Sequence, residues 1–241
     1  MRLAIDSWLL AALLLLAAIV GTRAWLHDHP QYDPWAPLSL DDDPGGWATR
    51  SKLARLRSDT AECRAFLDRS AVAFTALPPA GEGTCRRADR QTLMPERELG
   101  LVLHPGRPEA TCAVDAGLAL WLRHGVQPAA HAFLNTRIVG LEHYGTQNCR
   151  RIGNGATGRW SEHATGNAID IAGFILADGR RVRVRRDWRG SDDAARFLHA
   201  VRDAACDQFA TVLSPDYNAA HADHLHLDQA RRGSMAGSFC R

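Results

Sequence analysis

Two short segments hold the residues best suited to chemistry: Ser161-Glu162-His163-Ala164-Thr165-Gly166-Asn167-Ala168-Ile169-Asp170 and, about fifty residues later, His221-Ala222-Asp223-His224-Leu225-His226. Neutral imidazoles and a carboxylate drawn from two segments can give zinc three protein ligands. A fourth position then stays open to water, which is the arrangement of a catalytic site. Hydrolysis is the reaction class this combination predicts.

The elements around these segments must bring them together. Residues two apart on a strand share a face, so His224 and His226 point into one pocket while Leu225 and Leu227 face the core. Asp170 falls on an alternating run from Ala168 to Leu176, and Gly166 can supply the bend that returns His163 beside it. Asp178-Gly179 predicts a hairpin turn into Val182-Arg183-Val184. Ser191-Asp192-Asp193 caps a helix with Phe197, Leu198, Val201, Ala205 and Phe209 on one side, and Thr211-Val212-Leu213 starts a further strand. Upstream, Ala48 to Phe74 reads as helical with a break near Ser58-Asp59, and Thr111 opens a helix that Gly125 would end before Pro128 starts a new element. The pattern predicts an α+β fold: a small antiparallel sheet carrying the zinc site, flanked by helices.

At this level the chain resembles known families. Ser161-x-His163-x-x-Gly166-x-Ala168-x-Asp170 with His224-x-His226 is similar to the paired motifs of the LAS metallopeptidases, which include zinc D-Ala-D-Ala carboxypeptidases, murein endopeptidases and the Hedgehog signalling domain. That resemblance implies zinc ligation by His163, Asp170 and His226. The stretch from Cys112 to Arg241 also resembles the bacterial extensin-like C-terminal family, through Tyr144, Cys149-Arg150, Ser161-Glu162-His163 and Asp223-His224-Leu225-His226. Carried over, the mechanism gives Asp223 the role of general base, three residues before ligand His226. A regular strand would turn Asp223 away, so this role requires irregular backbone before His224. His224 and His221 compete as general acid or oxyanion stabiliser, and Arg150, ahead of Arg159, is expected to pair with a substrate carboxylate or the oxyanion. Ser161 reads as a hydrogen-bond partner holding the His163 loop. His29, His104, His124, His131, His143 and His199 read as ordinary hydrogen-bonded histidines.

The 241 residues allow one globular domain with extensions. Lys52 is the only lysine and no dense basic stripe occurs, which argues against a nucleic-acid partner. The apolar run within residues 1–25 is a membrane anchor or signal segment; neither Val20-Gly21-Thr22 nor Thr22-Arg23-Ala24 suits a cleavage site, which favours an uncleaved helix. Pro30, Pro34, Pro37 and Pro44-Gly45-Gly46 predict an extended linker over 26–48. Residues 49–110 are expected to form a helical N-terminal part of the extracytoplasmic region, in which Ala80 to His104 would be a disulfide-tethered flap over the site, and 111–241 the extensin-like, LAS-like metallopeptidase domain. Cys63, Cys85, Cys112, Cys149, Cys206 and Cys240 suit disulfides in an exported chain, without specifying their pairing. The expected setting is a single-pass protein of a bacterial inner membrane with its domain in the periplasm, a zinc peptidase acting on peptidoglycan peptides. The alternatives are an inactive zinc-containing wall-binding module and a dinuclear phosphoesterase, whose usual H-x-H-x-D-H order is absent.

Overall fold

The computed structural model describes residues 2–231 and 238–241. Helix α1 (Arg2–Asp28) stands out from the folded part, and its Ser7–Asp28 stretch is long and apolar enough to cross a bilayer. Beyond it, the predicted break near Ser58-Asp59 separates α2 (Trp47–Leu56) from α3 (Thr60–Arg69), where the Asp59 carboxylate caps by accepting from Glu62 N at 3.0 Å. The rest of the region expected to be helical is instead mainly extended. Strands β1 (Ala73–Ala76), β2 (Gln91–Met94) and β4 (Glu109–Ala110) make a small antiparallel sheet, and β3 (Val102–His104) leaves to join a larger one.

Helix α4 (Cys112–Trp121) begins at the predicted Thr111 cap, but Gly125 does not end it. The helical path continues to Leu134 through two wide turns; at the first, Gln127 N–H reaches back to Leu122 C=O, which accommodates Pro128. The stop is Asn135, in the left-handed conformation at φ 51°. Gly125 serves packing instead, since a Cβ there would stand 2.7 Å from Ala204 Cβ on α5 (Asp193–Gln208), the helix capped by Asp192 as expected.

The main sheet has the order β10-β8-β9-β6-β5-β3, with β7 also paired to β6. Its members are β5 (Ile138–Gly145), β6 (Ala168–Leu176), β7 (Arg181–Arg183), β8 (Thr211–Leu213), β9 (Leu225–Asp228) and β10 (Phe239–Cys240). It is larger than the alternation suggested, and parallel pairings at its two ends make it mixed around an antiparallel centre. Ile169, Ile171, Leu225 and Leu227 turn one face onto Trp121, Phe197 and Val201 of α4 and α5. The opposite face of β6 and β9 is thereby left to carry polar side chains.

Residues 26–48 are not an extended linker. The first three belong to α1, and Leu38 and Leu40 are buried in a second cluster with Leu53, Leu56, Phe66 and Leu120. Lys52, buried beneath them, donates to Pro30 O at 2.7 Å and to Asp42 Oδ2 at 3.1 Å. The six cysteines form Cys63–Cys112, Cys85–Cys149 and Cys206–Cys240, which places the domain in an oxidising, extracytoplasmic setting.

Two stability measurements follow. Lys52→Met leaves Asp42 buried and unpaired and is expected to cost about 3–5 kcal/mol in urea unfolding, with much of that loss recovered in Lys52→Met/Asp42→Leu. An unchanged denaturation midpoint in the single variant would show that the pair does not hold the segment. Asp115, buried on α4 and accepting from Gln91 Nε2 at 2.8 Å, is pushed up to about 8 by burial. Its native proton is one the unfolded chain has released above about pH 4. That contribution is full at low pH, declines as the pH rises and is gone above about 8. Relative to Asp115→Asn, the wild type should therefore lose stability between pH 5 and pH 8.

Candidate metal centre

The polar face of β6 and β9 carries the site. Asp170 and His226 are direct cross-strand partners in the antiparallel pair, which sets their side chains next to each other. His163 arrives from a tight helical turn, Glu162–Thr165, whose first N–H groups are capped by Ser161 Oγ, accepting from His163 N at 3.3 Å. Gly166, at φ 73°, then reverses the chain into β6. Both local expectations, for Ser161 and for Gly166, hold.

Three donor atoms converge. His163 Nε2 lies 3.2 Å from Asp170 Oδ1 and 3.1 Å from His226 Nδ1, and His226 Nδ1 lies 3.0 Å from Asp170 Oδ1. The outer nitrogens decide what faces inward. His163 Nδ1 meets the Thr146 carbonyl at 3.1 Å, and His226 Nε2 meets Asp228 Oδ2 at 3.1 Å. A carbonyl and a carboxylate only accept, so these outer nitrogens carry the hydrogens. Each neutral ring therefore turns a lone pair toward the other and toward a carboxylate oxygen.

Such a group needs a cation at its centre. With bonds of ~2.0–2.2 Å, tetrahedral ligand atoms stand roughly 3.3–3.6 Å apart, a few tenths of an ångström longer than the edges of this triangle. His163, Asp170 and His226 are thus suited to hold a divalent metal by distance, donor type and tautomer. Without one, a proton must occupy the gap. Burial resists charge on His226, but Asp170 and Asp228 outweigh it and raise the ring to about 9. Burial likewise opposes charge on Asp170, yet hydrogen bonds from His163 and His226 hold its carboxyl well below the usual range.

The residues expected to act on substrate surround this triangle unequally. His224 Nε2 faces Asp170 Oδ1 at 3.5 Å, while its Nδ1 lies 2.9 Å from Asp223 Oδ1. The backbone before β9 is irregular, as the Asp223 role required, but the carboxylate turns to His224 rather than into the triangle. Asp223 thus meets the centre through an imidazole. His221, held by Asn218 Oδ1 at 2.7 Å, has its ring 5.2 Å from that of His224 and 5.8 Å from that of His226. Burial, reinforced by these two histidines, lowers it to about 4, so it is neutral at pH 7.

Arg150 acts electrostatically on His221 and makes no side-chain hydrogen bond among the described residues. Its backbone is fixed on one side by the Cys85–Cys149 disulfide and on the other by Ser161 N donating to its carbonyl at 3.1 Å. The same disulfide tethers the turn Gly83–Cys85, which packs against the turn bearing His163. Thr146 and Asp228 had no assigned role in the sequence. Asp228 was readable in principle, being two residues from His226 on the same strand face, whereas a backbone carbonyl such as that of Thr146 leaves no signal in residue type.

Residues 61–241 match the family described as extensin-like protein C-terminus. The chain belongs to this family. No curated protein and no solved structure matches it. The matched region begins well before Cys112, so α3 and the small sheet are part of the same unit as the metal-site strands, in keeping with the Cys63–Cys112 and Cys85–Cys149 bridges.

Asp228→Asn tests the tautomer argument. An amide can donate to His226 Nε2 and drive the ring hydrogen onto Nδ1, inside the triangle. Divalent-metal affinity, read by competition with a chromogenic chelator, should fall roughly 10–100-fold. Unaltered affinity would mean that Asp228 does not set the ring.

Proposed function

We propose that the chain is a zinc-dependent peptidase of the bacterial inner membrane, anchored by α1 as a single span, whose periplasmic domain hydrolyses peptide bonds in peptidoglycan stem peptides or crosslinks. The observation that carries this reading is the convergence of His163 Nε2, His226 Nδ1 and Asp170 Oδ1 as three potential ligand atoms, with histidines and an arginine grouped around them. The likeness of the two motifs to those of LAS metallopeptidases, the export-type helix and the disulfides support the substrate and the setting.

Zinc bound by His163, Asp170 and His226 would supply a Lewis acid that makes water more acidic and polarises a carbonyl. The protein's own groups handle the protons. His221, neutral at pH 7, is suited to accept one, and its Nδ1 is fixed by Asn218 so that Nε2 is the reactive nitrogen. His224 presents Nε2 toward the same space, and Asp223 on its Nδ1 orients the ring beside the position of a leaving amine or an oxyanion. Asp223 becomes a positioning residue in this scheme. Arg150, whose guanidinium makes no hydrogen bond among the described residues, would face a substrate carboxylate or the developing oxyanion.

The test uses the full chain in detergent, because Leu38, Leu40 and Asp42 are built into the domain. Zinc-loaded wild type should release soluble fragments from purified peptidoglycan, His163→Ala should release none, and His221→Ala should slow release by roughly 10²–10⁴-fold. Identical product profiles from wild type and His163→Ala would defeat the peptidase reading. Metal analysis should give one zinc per chain; two would defeat the mononuclear scheme.

A further inference from the structure

Strand β6 carries more than Asp170 on its polar side. Ala172 shares that face two residues further on, and over its small side chain lies a cavity of about 480 Å³. Its walls include His104, Tyr144, Arg183, Arg185 and Asp223. The cavity adjoins the metal centre: Asp223 is bonded to His224, and the Tyr144 ring stands edge-on to His224 with centroids 5.8 Å apart.

The charges around it do not cancel. Glu142 is taken up by both Arg181 and Arg183. Asp223 is occupied by the His224 ring and lies close enough to Tyr144 to act on it electrostatically. Arg185 remains. It has no carboxylate partner among the described residues, yet it is near enough to Tyr144 to act on it electrostatically. The fold explains its place, because β7 pairs with the far half of β6, Arg183 opposite Gly173, and the chain leaves β7 beside the start of β9, where Leu225 lies opposite Ile171.

We propose that this cavity is a subsite for an acidic residue of the substrate, whose carboxylate pairs with Arg185 while the bond to be cut lies over the His163–Asp170–His226 triangle. The inference rests on the peptidase reading and narrows it. Ala172 is two strand residues from Asp170, about 7 Å, which is also about two residues of extended peptide. The acidic residue therefore sits about two positions from the scissile bond. Arg150, on the His221 side, leaves a separate cation for a second anionic group.

A synthetic wall-type tetrapeptide with free side-chain carboxylates is compared with the same peptide amidated, using the zinc-loaded full chain in detergent. The readout is the ratio of kcat/KM values, and the ratio of Kd values from calorimetric titration where nothing is cleaved. Wild type should favour the free acid by roughly tenfold or more, as a charge-assisted pair implies. Arg185→Gln should bring the two peptides close to parity, Arg185→Lys should keep part of the preference, and Tyr144→Phe, which retains the wall, should keep most of it. Equal handling of both peptides by wild type, or a preference that survives Arg185→Gln, overturns the subsite even if both are cleaved. A preference in binding with no cleavage of either peptide upholds the subsite and defeats the hydrolytic reading.

Discussion

Everything at the centre of this molecule follows from three lone pairs that cannot be left facing one another. The Thr146 carbonyl and the Asp228 carboxylate take the only hydrogens of neutral His163 and His226, and Asp170 has none to offer. Electrostatic repulsion among such donors in a buried site must be relieved by a proton or a metal cation. The surrounding structure keeps that requirement in force. Asp170 and His226 are locked by strand register, and a slip of one residue would send both to the core face.

The frame that holds the register is unusually cross-braced for a sheet of short strands. Gln229, directly after β9, donates to Gln208 O at the end of α5 and accepts from Arg57 Nε at 2.7 Å between α2 and α3. Gly117 on α4 leaves the space it fills, since a Cβ there would lie 2.5 Å from Gln229 Nε2. One buried amide thus ties the metal-bearing strand to three helices. The Lys52–Asp42 pair and the Leu38 and Leu40 contacts extend the same body back to the foot of α1. An anchored reading then implies a site at a set height above the bilayer rather than one swinging on a tether.

The parts of this design that were legible in the sequence obey short-range rules. Period-two alternation placed His226 and Asp170 on strands, with His224 one residue before β9, Ser58-Asp59 announced a break between helices, Asp192 a helix start and Gly166 a bend. What was not legible depends on distant packing. Gly125 looks like a helix stop because glycine often ends helices, but its missing side chain serves the approach of Ala204 from a helix far along the chain. Pro30, Pro34 and Pro37 look like a linker because proline-rich segments are usually solvated, yet a single lysine and two leucines turn the segment into part of the core. Asp223 has the spacing of a base on the metal, and only the turn before β9 reveals that its carboxylate belongs to His224.

On the proposed reading, that displacement suits the centre to turnover rather than to holding the fold together. A structural zinc is closed by four protein ligands, whereas the described residues here bring only three donors within reach of one another. The remaining side is occupied by polar and charged groups. His221 is kept neutral, His224 is oriented by a carboxylate, and Arg150 and Arg185 lack anionic partners among the described residues. Arg150, partly buried, and Arg185, exposed to water, both carry positive charge on this side of the triangle. On the proposed reading, an anionic chain lying across the triangle would meet both charges.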